Sequence, residues 1–393
     1  MNTLEEMNCR GVWLKCFDSL ARNMHFEETD EQQMIRELVR DFAESVLPPT
    51  IEHRDANQIP PAEEWAQFIE YGLQGITIPE EYGGNPVDDV SESIIIEELA
   101  RIDPSFAVMY CVHVGLCSKT IALHGNEEQK SKYLPRLAAG EVGAYSLSEA
   151  GAGTDAAAMV CKAKLSDDGT HYLLNGEKMW VTNGAQAQIY VLFAKDVDHP
   201  DYGVKKHGGS TAFIVEQSYE GFTVGKKEDK LGIRSSDTCT LVLNECKVPV
   251  ENVLKGVGAG FPIAMNALDN SRIGIAAQAL GIAQGAYESA LKYAHEREAF
   301  GKPIAHHQMI MAYLADMATQ IDAELIHHDD CKPVHFPRAH ADGIHINVGA
   351  VKKFEDSLRH GRTHRVHGAC EQDSGRKVTH TPLKPGCEGR RPG

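Results

Sequence analysis

Residues 144–159, AYSLSEAGAGTDAAAM, and residues 177–184, EKMWVTNG, are the stretches whose reading decides the fold. The first runs from a short apolar strand into a Gly-Ala-Gly-Thr-Asp turn, where absent or small side chains let backbone N–H groups and hydroxyls approach a ligand closely. The second sets Trp180 and Thr182 beside an Asn-Gly turn, a flat aromatic surface next to a hydroxyl donor. A planar, polar-edged cofactor suits such walls.

The spacing Gly151-x-Gly153-x-x-Ala156, with Glu177 downstream, also matches a dinucleotide-binding fingerprint. That fingerprint needs a helix straight after the glycines. Here the chain continues as MVCKAKL, Asp167-Asp168-Gly169, HYLL and Asn175-Gly176, short alternating runs broken by turn signals. The pattern is that of a β domain, and the nucleotide-fold reading is set aside.

Outward from this core the period changes. Residues 24–141 read as helical, with Thr29 or Asp30 as N-cap, apolar residues three and four apart in MIRELVRDFAESVL, and Pro48-Pro49 as a stop. SESIIIEELARID and NEEQKSKYLPRLAAGE continue the pattern, with breaks at Tyr82-Gly83-Gly84 and Asp103-Pro104. Residues 142–254 alternate with period two and carry turn signals at Asp168-Gly169, Asn175-Gly176, Asn183-Gly184 and the GVKKHGGS loop, which predicts a small antiparallel β domain. Residues 255–323 return to helix: Gly256-x-Gly258-x-Gly260 leads into a long apolar helix from Phe261 to about Arg297, and a second runs from His306 to Ala323. The fold class is α+β.

These segments, together with LDNSRIGIAAQALGIAQGA at 268–286 and EREAFGKPIAHHQ at 296–308, resemble the acyl-CoA dehydrogenase family, flavoenzymes that desaturate acyl-CoA thioesters. The resemblance runs from about Met24 to about Ala323 and is nearest the short-chain or branched-short-chain branch. It implies FAD as cofactor, held by Tyr145, Leu147, Ser148, Gly153 and Thr154, with Trp180 and Thr182 at the isoalloxazine ring. Arg297, Phe300 and Gln308 resemble residues that reach the adenine and pyrophosphate end of FAD in a neighbouring subunit. Thr154, Asp269, Asn270, Ser271 and Arg272 resemble the acyl-CoA segment. Arg272, a cation on an apolar helix, is expected to face a cleft, and an i,i+3 ion pair with Asp269 stays open as the alternative. The resemblance further implies an electron-transferring flavoprotein as acceptor and a homotetramer or dimer.

The catalytic base is what the sequence lacks. Most of the family carries a glutamate in a Tyr-Glu-Gly-Thr segment, absent here; some relatives place it just before the substrate-helix arginine, where this chain has Ser271. From Glu324 onward the chain loses periodicity, holds about half of its 19 His and is poor in Leu, so residues 324–393 are expected to form an irregular tail, the composition of a chain read in another frame. Glu355 and Glu371 are the loose candidates for a base there. His327, His328, Asp329, Cys331 and His335 reproduce no recognised metal-ligand spacing, and no metal is expected. A non-catalytic FAD or acyl-CoA-binding remnant and an acyl-CoA oxidase remain alternative readings.

Composition bounds the rest. A net charge of −17 argues against nucleic acid or an anionic membrane as partner. No apolar run is read as membrane-spanning, since even RIGIAAQALGIAQGAYESAL carries Arg, Gln and Glu. The 10 Cys include no C-x-x-C pair, which points to reduced thiols in a cytosol-like compartment. Residues 1–23 read as a disordered extension, and their Glu5, Glu6 and Asp18 are unlike a mitochondrial presequence.

Overall fold

A computed structural model describes residues 28–330, with side chains through residue 323. The first helix, α1 (Asp30–Val46), starts on a capping box in which Thr29 accepts from Gln32 N and the Gln32 side chain returns to the Thr29 backbone. Of the two cap candidates, Thr29 caps and Asp30 sits in the first turn. Pro48-Pro49 ends this helix and also begins the next, α2 (Pro48–Asn57), because a missing N–H is tolerated in a first turn. Helices α3 (Ala62–Ile69) and α4 (Asp89–Ile102) follow.

Helix α5 (Pro104–Cys111) is capped by Asp103 and passes through a π-helical turn, Val112–Ser118, into α6 (Lys119–His124). This rod, Pro104–His124, is long and apolar enough to cross a membrane, with a mean hydropathy of 1.5. That corrects the reading of no apolar run of spanning length. The rod is instead the core of the helical domain, with Phe106, Met109, Tyr110 and Val114 fully buried. Helix α7 (Glu127–Ala138) opens on a second capping box, Asn126 with Gln129.

The middle domain is a seven-stranded sheet: β1 (Gly143–Ser146), β2 (Lys162–Leu165), β3 (His171–Thr182), β4 (Ile189–Asp196), β5 (Ser210–Glu216), β6 (Phe222–Lys227) and β7 (Thr238–Pro249), in the order β1-β4-β2-β3-β7-β6 with β5 also on β4. The expected antiparallel pairing holds for β2·β3, β3·β7, β4·β5 and β6·β7, but β1 and β2 both run parallel to β4. They share one edge of it in succession, β1 against residues 189–192 and β2 against 195–196. Residues 147–161, which include the Gly151–Thr154 turn, are therefore an excursion between two strands that lie in succession along β4. Strand β4 is buried along nearly its whole length, so its IYVLFA run shows no alternation.

Asn175-Gly176 is not a hairpin turn. It is a bulge inside β3, where the pairing shifts between Leu174 and Gly176 and Gly176 takes φ 147°. A second irregularity lies between Lys178 and Val181.

Helix α8 (Gly260–Glu296) packs along α4, and glycines set the approach: a Cβ at Gly281 would lie 2.2 Å from Glu97 O, and one at Gly285 2.0 Å from Arg101 O. A short hairpin, β8 (Glu298–Ala299) and β9 (Lys302–Pro303), leads to α9 (Gln308–Asp330). Helix α9 thus continues past Ala323, where the sequence was read as turning irregular. Leu325 and Ile326 extend the helix, which is described through Asp330. Of the metal candidates set aside above, His327, His328 and Asp329 fall on this helix, and Cys331 and His335 lie outside the described residues, as do the base candidates Glu355 and Glu371.

Candidate functional site

The two decisive segments meet. Glu149 and Ala152 exchange backbone hydrogen bonds of 3.0 Å each, closing a tight turn, and Met179 N donates to Ser148 O at 2.9 Å. A buried ion pair fastens the contact: Lys178 Nζ, fully buried, lies 2.7 Å from Glu149 Oε1 and donates to Leu147 O at 3.0 Å. Glu149 Oε2 accepts from Val160 N at 2.6 Å, and Cys161 N approaches the same carboxylate at 3.2 Å. Two buried charges are costly unless every polar atom is satisfied, and here one pair ties the turn, the return strand and β3 together. Sequence reasoning passed over both residues, since a lysine in an alternating strand reads as a solvated face.

The second bulge re-aims Trp180. Its backbone is left-handed, φ 56°, unusual for a bulky residue, and its ring is 58% exposed beside a buried strand. Thr182, half-buried, pairs with Thr238. On β1, Tyr145 is buried against Phe193, ring centroids 5.1 Å apart, yet its hydroxyl has no hydrogen-bond partner among the described residues. Burial pushes that phenol far above its ordinary range. Leu147 is buried, Ser148 half-buried, and Gly153 and Thr154 are exposed, with open space where a Cβ at Gly151 or Gly153 would stand. A free aromatic face and an open glycine turn together fit a flat heterocycle.

Arg297, Phe300 and Gln308 form a second group around the β8–β9 hairpin, where Ile304 N donates to Arg297 O at 2.8 Å. All three are exposed, Phe300 at 97% with φ 55°. No hydrogen bond among the described residues joins them to the Tyr145–Thr182 group. Asp269, Asn270, Ser271 and Arg272 lie on α8, where Arg272 pairs with Asp269 at 3.0 Å and both side chains are 71% exposed. The ion-pair alternative is the one formed, and among the described residues Arg272 is exposed rather than set in a cleft. Ser271, half-buried, donates to Leu268 O at 3.3 Å and lies beside Gly115 of the π-helical turn. Across Gly115 stands Glu92, whose carboxyl burial pushes up while Lys119, 3.1 Å away, pulls it down.

Comparison with known proteins bears on these positions. The chain matches the acyl-CoA dehydrogenase N-terminal domain over residues 29–141, the middle domain over 144–246 and the C-terminal domain over 258–328. A short-chain-specific acyl-CoA dehydrogenase of Clostridium acetobutylicum is 44% identical over 301 residues, 76% of this chain and 78% of that protein. A chain in the solved structure described as the electron transferring flavoprotein of Acidaminococcus fermentans aligns with a TM-score of 0.75 at 44% identity, over 80% of this chain and 82% of that one. The structure of an acyl-CoA dehydrogenase complexed with FAD from Bacillus anthracis gives a TM-score of 0.71 at 37% identity, over 77% of this chain and 52% of that one. With all three domain models matched in order around a turn and indole shaped for a flat cofactor, the chain belongs to the acyl-CoA dehydrogenase family.

Proposed function

We propose that this chain carries the FAD and acyl-CoA site of a short-chain or branched-short-chain acyl-CoA dehydrogenase, passing electrons to an electron-transferring flavoprotein. The observation that carries the reading is Trp180, turned outward by a bulge and tethered through Lys178 and Glu149 to the turn that bears Gly153 and Thr154. Similarity to a short-chain-specific dehydrogenase, to a structure complexed with FAD and to one of an electron transferring flavoprotein supports the three parts of it. When bound, FAD supplies the acceptor for the β-hydride.

The chain's own residues bind and orient. Tyr145, with its unpaired hydroxyl, and Leu147 and Ser148 line one side of the ring site, and Trp180 and Thr182 cover another. The exposed turn at Gly153 and Thr154 borders the thioester. Asn270 and Arg272 offer an amide and a guanidinium to the anionic CoA portion, and Arg272 exchanges its Asp269 partner for it. Arg297, Phe300 and Gln308 reach toward the flavin's far end in a neighbouring subunit, as a homodimer or tetramer requires; Met309, Met311 and Tyr313, each more than half exposed, supply apolar surface for that contact. The five described cysteines are free and buried, which suits a reducing compartment.

A second reading is favoured by Ser271. A hydroxyl that donates to a backbone carbonyl is no base at neutral pH, so this chain binds FAD and acyl-CoA without turnover unless residues beyond 330 supply a carboxylate. Anaerobic addition of butyryl-CoA to the FAD-loaded protein separates the readings: bleaching of the flavin marks a dehydrogenase or oxidase, peroxide release in air marks the oxidase, and binding without bleaching marks the remnant. Ser271→Glu is expected to raise the bleaching rate by about 10²–10⁴-fold, the usual worth of a positioned general base.

A further inference from the structure

The buried residues that the site leaves unused include one continuous hydrogen-bonded chain. It starts at His113, fully buried in the π-helical turn. His113 Nδ1 accepts from Gly143 N at 3.0 Å, which places the ring hydrogen on Nε2, 3.1 Å from Gln74 O. Gly143 O in turn accepts from Asn183 Nδ2 at 3.0 Å, and the same amide donates to Met109 O at 3.0 Å, one turn ahead of the π-helical segment. Asn183 N donates to Asp237 O at 2.9 Å. Both hydrogen-bonding groups of Gly143 are thus held by side chains, and a Cβ there would lie 2.7 Å from Cys117, so the strand presses directly on the π turn.

The placement of this chain is what gives it meaning. Gly143 opens β1, which leads to Tyr145, Leu147 and Ser148; Asn183 follows directly on Thr182 and stands close behind Trp180. In the sheet β1 pairs with β4, so the Asn183 amide reaches across from the end of β3 as a direct tie between the two walls. Asn183 is fully buried with a left-handed backbone, φ 64°, a conformation asparagine tolerates better than most residues. π-Helical turns occur frequently at functional sites, because the extra residue re-aims backbone groups.

We propose that Asn183, held through Gly143 by His113, is a positioning residue that sets the spacing between the two walls of the isoalloxazine site. The inference rests on the flavin reading of that site. The amide touches neither substrate nor cofactor; it acts by keeping β1 and the end of β3 at the separation a planar ring needs.

The test uses the full chain with FAD as probe. Asn183→Gly keeps the left-handed backbone and removes only the amide. Asn252→Ala removes a buried amide of similar connectivity, bonded to Tyr133, Tyr219 and Ile214 O in a different part of the sheet. Asn183→Gly is expected to weaken FAD binding by about ten-fold, the scale of one lost hydrogen bond, and to alter the visible circular dichroism of the flavin that still binds. Asn252→Ala is expected to lower the melting temperature while FAD affinity stays near wild type. Equal loss of FAD affinity in both variants, or unchanged affinity and spectrum in folded Asn183→Gly, overturns the proposal. Should Asn183→Gly fail to fold, hydrogen exchange on the wild type decides it: FAD slows exchange at residue 143 and at 180–184 together, and no FAD-dependent protection at residue 143 overturns it. Folded wild-type protein that binds no FAD refutes the flavin reading itself, a separate outcome.

Discussion

The wall built from β1 and β3 and the surface built from α8 and α9 differ in how their site residues are held. In the wall, backbone bonds, a buried ion pair and a buried amide fix nearly every position, and only Trp180 and the glycine turn are left open. On α8, at the β8–β9 hairpin and at the start of α9, Arg272, Arg297, Phe300 and Gln308 stand exposed, and the guanidinium of Arg272 is satisfied by a neighbour on its own helix. One region is held together by contacts within the chain. The other presents exposed side chains, for which the proposed function supplies a ligand or a second subunit as partner.

The largest expected effect breaks the first region. Lys178→Met leaves the Glu149 carboxylate buried without its cation and is expected to cost about 3–5 kcal/mol in urea unfolding. Adding Glu149→Gln is expected to recover much of that loss, because an unpaired charge is then no longer buried. A single variant as stable as wild type would show that the pair does not hold the turn to β3.

A second effect is carried by pH. Burial pushes the His113 imidazole down to about 4 from an ordinary 6.5. The folded state therefore binds its proton less readily than the unfolded state. Stability is full above about pH 6.5 and falls as pH drops toward 4, by roughly 3 kcal/mol in total from this group. His113→Gln is expected to flatten that part of the stability profile; an unchanged slope would assign it to other groups.

How far the sequence led differs along the same divide. The glycine turn and Thr29 as one of two N-cap candidates were legible because local chemistry dictates them: a turn needs small residues and an N-cap needs an acceptor. Glu149, Lys178, His113 and Asn183 were not, because their partners lie far along the chain and only the fold brings a strand lysine inward. The Asn175-Gly176 bulge and the parallel edge on β4 were hidden likewise, since a dipeptide that favours a turn also serves a bulge. Helix α9 runs past Ala323 because Leu and Ile continue a helix locally whatever follows.

The smaller effects sharpen the second region. Arg272→Ala is expected to weaken acyl-CoA binding by about 1–3 kcal/mol and to leave FAD affinity unchanged, as removal of a charge-assisted contact from an exposed helix face would. Isothermal titration with a short-chain acyl-CoA checks this. The same substitution, like Asp269→Ala, is expected to change unfolding free energy by about 1 kcal/mol or less, because a surface pair of this kind is worth little. A larger stability loss with unaltered acyl-CoA affinity would make Arg272 a structural residue and remove it from the site.

The central claim is that residues 144–184 form a flavin wall complete within one chain. Titrating FAD into the purified full-length protein, with circular dichroism recorded on the same sample, tests it most directly. The account predicts a yellow protein that saturates with non-covalently bound flavin and whose Trp180→Ala variant binds FAD more weakly while retaining its fold. A folded, colourless protein in excess FAD would contradict it.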